Sequence, residues 1–250
     1  MDQILSSLTK VKSVWDILRE VPSENMNWVM LIDNLIPLFR KNTFFDLVST
    51  KSYYPQSMPN CRYYIKPNDG SCGKGIQIVN FLPPNPIEGY TICPEIITPP
   101  IIIGTNKYKY DYRVWIGIQS DLKYFICPTL IKRVSTVPFS LDTMYGSFTN
   151  TSLYSEQFDH QDSELYDKIN MIVMDVLKSL LLFTPGFSVR REENIPDTDT
   201  KLMLTGWDFI ENESGELFVL EVNCNPGINI QHTQVMTEFL NLLLSNLNFF

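Results

Sequence analysis

Apolar residues repeat at two different periods along this chain, and the change of period marks out its elements. Between Asp162 and Phe183, Leu165, Ile169, Ile172, Val173, Val176, Leu177, Leu180 and Leu181 fall at three- and four-residue spacing. That spacing predicts a helix with one buried stripe, and Asp162 or Ser163 offers a side-chain oxygen to cap it. Val235, Met236, Phe239, Leu240 and Leu243 predict a second helix over 233–247, entered through the turn at Pro226-Gly227. Residues 1–60 also read as mostly helical. Ile4, Leu5, Leu8, Val11, Trp15 and Leu18 keep a helical spacing until Pro22, and Pro37 limits a second apolar segment that starts at Trp28. Residues 1–50 read as a scaffold with no chemistry of its own. Tyr53-Tyr54-Pro55-Gln56-Ser57 is extended, because a residue before proline avoids the α region.

Elsewhere the period is two. Thr205–Glu211 and Glu216–Asn223 are rich in β-branched and aromatic residues and flank Asn212-Glu213-Ser214-Gly215, which is turn chemistry. Together they predict a β-hairpin. Glu221 and Asn223 share one strand face. A two-residue loop pairs Asp208 with Glu221, and a four-residue loop pairs it with Val219. Either register puts Asp208 on that same face, whereas a three-residue loop turns it away. Trp207, Phe209, Phe218, Leu220 and Val222 then form the core face. Two carboxylates and an amide oxygen on one side of a hairpin are hard ligands suited to Mg²⁺. The other reading is a half-solvated sheet whose outer face carries acids.

Far upstream, Arg62–Phe81 (RYYIKPNDGSCGKGIQIVNF) reads as strand, glycine-rich loop, strand. Lys66 shares a face with Arg62 and Tyr64. A strand lysine beside such a loop can hold a phosphate as a point charge, and Gly70, Gly73 and Gly75 let backbone N–H groups approach phosphate oxygens. The loop is not a Walker loop, since Asn68 stands where that motif needs glycine and Gly75 follows Lys74. It is not the kinase loop either, since Gln77-Ile78 replaces the last glycine. A tight hairpin with a surface lysine is the alternative for this stretch alone. Strand lysine, glycine loop and distant acidic hairpin together make a nucleotide site. Thr91–Ile97 is a further short strand. Lys109, Asp111 and Arg113 alternate along another, and Lys132 and Arg133 point to opposite faces of a third, Leu130–Phe139.

Length and charge narrow this picture. The 250 residues suit one compact unit or two small lobes with a sizeable core. A net charge of −8 argues against nucleic acid or anionic membrane as a partner, while leaving room for a local basic cleft. Five cysteines without a C-x-x-C pair, and two histidines, read as free thiols in a cytoplasmic compartment and build no zinc site. MDQILSSLTK lacks the basic and apolar regions of a signal peptide, so none is expected. No apolar run approaches a membrane span. The Arg190-Arg191 pair lies in a polar excursion, 184–201, and His160 and His232 read as structural.

In this order the motifs resemble the ATP-grasp superfamily and, within it, the tubulin–tyrosine ligase-like family, over residues 53–230. Ile65–Ile76 is similar to the family's I/V-x-K-P followed by a Ser- and Gly-rich loop ending G-x-G-I. Tyr54–Ser57 resembles the segment ahead of its ATP-binding lysine. Lys109-Tyr110-Asp111-Tyr112-Arg113 is similar to Lys-Phe-Asp-Leu-Arg, Leu130–Phe139 to the strand leading to an arginine, and Gly146–Ser152 to Leu-Thr-Asn. The resemblance implies an α+β, ATP-grasp fold: two α+β lobes with antiparallel sheets sandwiching ATP. Residues 1–60 would be a helical N-terminal remnant, 61–105 a central lobe with the glycine-rich loop, and 106–250 a C-terminal lobe with the metal site.

The resemblance also implies roles. ATP would be held by Lys66, Gly70, Ser71, Gly73 and Gly75. Glu95 and Ile96 would lie at the adenine hinge, where Cys93-Pro94-Glu95-Ile96 stands for the family's Gln-Lys-Tyr-Ile. Lys109 would meet phosphate or ribose, and Asp111 would orient. Arg113 would take a substrate carboxylate or phosphate, Arg133 the γ-phosphate, and Asn150 would organise the site, with Thr149 beside it. Asp208, Glu221 and Asn223 would hold Mg²⁺. The implied activity is ATP-dependent ligation of a free amino acid to a polypeptide through an acyl phosphate. The acceptor would be an exposed segment such as an acidic tubulin-like tail, led in by Arg113, Lys132, Arg190 and Arg191. A kinase or small-molecule ligase on the same scaffold, and an ATP-binding interaction module without turnover, are the alternatives.

Overall fold

A computed structural model of the chain describes residues 11–12, 40–57, 61–69, 74–119, 124–139, 155–183, 202–224, 226, 228–229 and 232–246. In order, its elements are β1 (Val11–Lys12), α1 (Lys41–Val48), β2 (Tyr63–Pro67), β3 (Gln77–Val79), β4 (Tyr90–Pro94), β5 (Ile101–Ile103), β6 (Asn106–Tyr108), β7 (Tyr110–Gln119) and β8 (Tyr124–Ile126). There follow β9 (Leu130–Ser135), β10 (Ser155–His160), α2 (Ser163–Phe183), β11 (Leu202–Glu211), β12 (Leu217–Asn223), β13 (Ile228–Asn229) and α3 (Thr233–Asn246).

The architecture is mixed α and β with antiparallel sheets, as expected. A large sheet runs β10-β9-β7-β11-β12, with β8 also paired to β7, and a three-stranded sheet runs β3-β2-β4. One face of the large sheet is apolar. Val114, Ile116 and Ile118 of β7 and Trp207 and Phe209 of β11 are buried there against Leu165, Ile169, Val173 and Val176 of α2. The predicted stripe of α2 from Leu165 to Leu180 is therefore its core face, and Asp162 caps the helix by accepting the Leu165 N–H at 3.0 Å. In α1, Phe44, Leu47 and Val48 join the same core. Among the described residues no helix is long and apolar enough to cross a membrane.

Three expectations are corrected. The helical spacing through Val11 fails locally, because Val11–Lys12 pairs antiparallel with Ile228–Asn229. The strand expected over Thr91–Ile97 is β4, which ends at Pro94, a residue with no N–H to continue the ladder. The third concerns the acidic hairpin. Asn212 N–H donates to the Glu216 oxygen at 2.9 Å and Gly215 N–H to the Asn212 oxygen at 3.0 Å, with Gly215 at φ 77°. This is a three-residue loop whose last position needs a left-handed residue, and by itself it turns Asp208 away from Glu221.

A β-bulge turns it back. Glu211, Ile210 and Phe209 pair with Leu217, Phe218 and Val219, then the register shifts, and Asp208, Trp207 and Gly206 pair with Glu221, Val222 and Asn223. Leu220 is the extra residue. Asp208, Glu221 and Asn223 thus share a face as predicted, by a different route. The core face changes as well. Leu217 and Val219 are buried on it, while Phe218 and Leu220, both expected there, are half-buried.

Candidate functional site

The polar face of the large sheet carries a row of charged side chains set by register. Arg133 on β9 is opposite Asp111 on β7. Arg113, two residues along β7, is opposite Asp208 on β11, and Asp208 is opposite Glu221 on β12. Arg133 donates Nε and Nη2 to the two Asp111 oxygens, each at 2.6 Å, and its Nη2 lies 3.0 Å from Asp208 Oδ1. Arg113 clasps Asp208 with Nε on Oδ1 and with Nη2 on Oδ2 at 2.8 Å. The Asn223 amide nitrogen is 3.5 Å from Asp208 Oδ2 and 3.4 Å from Glu221 Oε1.

Asp111 and Asp208 are fully buried and Arg133 nearly so. Buried charges of this kind persist only when paired in good geometry. Burial opposes the charge on Asp208, but Arg113 and Arg133 outweigh it and hold the carboxyl below its ordinary value. Burial likewise opposes the charge on Arg133, and Asp111 and Asp208 raise it further above its ordinary value. Asp208 and Arg133 are therefore each held in the charged form by the other and by their neighbours.

Gly206, absent from the sequence-predicted set, makes room for this arrangement. A Cβ there would lie 2.6 Å from Pro226 Cβ and 3.1 and 3.2 Å from Arg113 Nη1 and Cδ. A glycine inside a strand is the sequence signal of such a close approach.

The small sheet supplies the other half. Lys66 and Tyr64 of β2 pair with Thr91 and Cys93 of β4 on one face. Lys66, Thr91 and Cys93 line a narrow cavity with Leu220, Glu221 and Val222 of β12 and with Lys41 and Phe44 of α1. Lys66 and Glu221, some 150 residues apart in the chain, thus meet at one space. Gly75 adopts φ 73°, and a Cβ on it would lie 3.0 Å from Pro67 Cγ, so this loop position requires glycine. Glu95 and Ile96 follow β4. The Glu95 carboxylate is held by Arg62, Tyr64 and Lys109, a grouping sequence reasoning did not anticipate although Arg62 and Tyr64 share the Lys66 face. Gly70, Ser71, Gly73, Thr149, Asn150, Arg190 and Arg191 lie outside the described residues.

Arg62, Lys66, Lys109, Arg113 and Arg133 outnumber Glu95, Asp111, Asp208 and Glu221 across this region, and Lys41 in the cavity wall adds a further cation, so it carries a positive excess within a chain of net charge −8. Lys132 points away, its ammonium 3.9 Å from the Tyr110 ring centroid. Among the described residues no three His, Cys, Asp or Glu side chains gather to hold a metal. Asp208 and Glu221 stand beside the Asn223 amide, whose nitrogen faces both carboxylates while Arg113 and Arg133 hold the Asp208 oxygens. With that amide turned to present its oxygen, the set is two carboxylates and one neutral oxygen, hard donors of the kind Mg²⁺ takes.

A model of the tubulin-tyrosine ligase family matches residues 36–177. The chain is 24% identical over 213 residues to tubulin polyglutamylase TTLL11 of Mus musculus, covering 68% of this chain and 28% of that protein. It is 22% identical over 221 residues to tubulin polyglutamylase ttll-5 of Caenorhabditis elegans, covering 72% and 30% respectively. It is 27% identical over 112 residues to tubulin polyglutamylase TTLL7 of Mus musculus, covering 41% and 12%. The chain thus spans less than a third of the length of these relatives.

Proposed function

The chain belongs to the tubulin-tyrosine ligase family, and on that premise we propose that it is an ATP-dependent amide ligase joining a free amino acid to a carboxylate of a polypeptide. The observation that carries this reading is the meeting of two sets of groups at one cavity: Lys66 beside the glycine loop, and Glu221 at the end of the charged row. On this reading the two sheets are the two lobes of an ATP-grasp fold. Lys66, with Gly75 and the loop residues Gly70, Ser71 and Gly73, faces the phosphates. The hinge is Glu95-Ile96. Pro94 has no N–H and the Glu95 N–H donates to the Arg62 oxygen at 2.8 Å, so the Glu95 carbonyl and Ile96 N–H are the pair left for an adenine edge.

The reaction has two steps. An acceptor carboxylate attacks the γ-phosphorus of ATP, releasing ADP and leaving an acyl phosphate. The amine of the amino acid then attacks the acyl carbon, phosphate leaves, and the amine loses a proton. Asp208, Glu221 and Asn223 are the residues that would hold Mg²⁺, which when bound supplies charge neutralisation across the β- and γ-phosphates. Arg133 adds fixed positive charge where the transferring phosphoryl would lie, and Asp111 holds its guanidinium in orientation. Arg113 spends Nε and Nη2 on Asp208, and its guanidinium adds positive charge beside the place a substrate carboxylate would take. Proximity of amine and acyl phosphate does the rest, so no nucleophilic side chain is required. Tubulin, named in the relatives, supplies the acceptor class: an exposed acidic tail.

A second reading is an ATP-binding module without turnover, and the grip of Arg113 and Arg133 on Asp208 favours it, since both oxygens of that proposed metal ligand are already engaged. Intact mass of acidic peptides incubated with ATP, Mg²⁺ and single amino acids separates these readings. Amino-acid-sized increments support the ligase, and phosphate-sized increments convert it to a kinase. ATP binding with no modified acceptor, free amino acids and small carboxylic acids included, leaves the module.

A further inference from the structure

The two sheets are bridged at the rim of the proposed nucleotide cleft by one ion cluster centred on Glu95. Arg62, the residue before β2, donates Nε to Glu95 Oε2 at 2.6 Å and Nη2 to Oε1 at 2.8 Å. Tyr64, on β2, donates its hydroxyl to Oε1 at 3.0 Å. These groups belong to the small sheet. Lys109 leads into β7 of the large sheet, and its ammonium donates to Glu95 Oε1 at 2.5 Å. The Phe139 ring covers both cations, with its centroid 4.5 Å from Lys109 Nζ and 5.6 Å from Arg62 Cζ. Lys109 is only 8% exposed.

We propose that Glu95 is a positioning residue: it holds the Lys109 ammonium in place at the junction of the two sheets, and so makes Lys109 available to the nucleotide. The inference rests on the ATP-binding reading above and assigns to the Glu95 side chain a task separate from its backbone at the hinge. A buried ammonium has lost its hydration, and the Arg62 guanidinium beside it adds repulsion. Both push Lys109 toward the neutral amine, and burial does lower it below its ordinary value. The groups facing it are Glu95, Arg62, Tyr64 and the Phe139 ring, and the carboxylate is what opposes the loss of charge.

Holding is not sequestering. An ammonium has three N–H groups. Glu95 takes one, and the Tyr64 oxygen, at 3.5 Å, stands at the limit of a second. Glu95 has partners besides Lys109, because the Arg62 fork and the Tyr64 hydroxyl stay on it when Lys109 turns to a ligand. Burial opposes the Glu95 charge, but Arg62 and Lys109 outweigh it and take the carboxyl to about 2.

The test is ATP affinity across pH 6–10 for the unmodified chain, Glu95→Gln, Glu95→Asp, Lys109→Met and the Glu95→Gln/Lys109→Met double variant. Thermal melting confirms that each variant is folded. Glu95→Gln should weaken ATP by at least about tenfold, the scale of one charged hydrogen bond. Its alkaline loss of affinity should begin at least about one pH unit lower, because the unopposed ammonium deprotonates earlier. Glu95→Asp should recover part of both effects, and the double variant should bind no worse than Lys109→Met alone. An unchanged alkaline limb in Glu95→Gln, or equal losses with and without Lys109, overturns the proposal. If the unmodified chain binds no ATP, the ATP-binding reading fails on its own. The positioning claim is then judged by NMR titration of the Lys109 ε-amine, where an equal midpoint in Glu95→Gln sinks it.

Discussion

Asp208 is the residue on which the charge of the site turns. It is fully buried and shared by two guanidinium groups. Removing its charge would leave Arg113 and Arg133 under-compensated, at a cost of about 3–5 kcal/mol, so Asp208→Asn should melt earlier than the unmodified chain, whereas Glu221→Gln should keep its melting point. Below the melting point of each variant, both substitutions should lower Mg²⁺-dependent turnover by at least about a hundredfold. Turnover that survives the pair together would remove the hairpin from the metal site. Lys66 belongs to the same cavity but to the other sheet. Lys66→Ala should weaken ATP by roughly 1.5–3 kcal/mol, the scale of a lost charged hydrogen bond. Calorimetry that finds equal affinity in the folded variant takes Lys66 out of the site. Glu95 gives the acid response its sign. Its carboxyl is lowered from 4.5 to about 2. It therefore contributes stability that is complete above the ordinary carboxylate range and is lost as pH falls through the lowered value. In Glu95→Gln, denaturant titrations between pH 5 and 2 should show a flatter decline than the unmodified chain. An identical slope says the cluster is not formed in solution.

At the scale of elements, the bulge in β12 decides whether the acidic face exists. The side-chain period of two made Glu221 and Asn223 co-facial in the sequence alone. Placing Asp208 with them depended on a loop length that composition does not give, and the three-residue loop was the unfavourable case. One extra residue, Leu220, restored the alignment and moved Phe218 off the core face. A bulge leaves no reliable mark in a single sequence, which is why that part was hidden. The α2 stripe, the Asp162 cap and the alternation of Asp111 and Arg113 were legible because each follows from a local period. The Glu95 cluster was not, since it joins residues of two sheets through tertiary packing. Gly206 could have been noticed, being a glycine inside a strand pattern. Its contacts give a direct check. Gly206→Ala should destabilise the chain by about 1–3 kcal/mol through overpacking against Pro226. It should also lower turnover beyond what that loss explains, because Arg113 must move. A variant of unchanged midpoint in urea would mean that the Pro226 contact is not close in solution.

On the proposed ligase reading, the question for the whole molecule is how a chain of net charge −8 would take an acidic acceptor. Two length scales separate. Beyond the cleft, an acidic tail meets the summed negative field and is repelled, and this repulsion reaches about 30 Å at 0.01 M salt but only about 8 Å at 0.15 M. Within the cleft it meets the local excess of Arg62, Lys66, Lys109, Arg113 and Arg133 over their four carboxylates, at contact distances that salt screens much less. Raising ionic strength over that range should therefore remove the barrier to approach faster than it weakens the final contacts. For this chain, kcat/KM for an acidic peptide should rise with salt between 0.01 and 0.15 M, while a neutral peptide of equal length stays level. Turnover at saturating peptide should be unaffected, since the effect lies in encounter. Arg113→Gln should lower kcat/KM for the acidic peptide at every salt yet keep the upward slope, because it acts at contact and not at distance. A monotonic fall with salt in the unmodified chain would show that the cationic cleft governs approach from afar and that the outer acidic surface plays no part in acceptor choice.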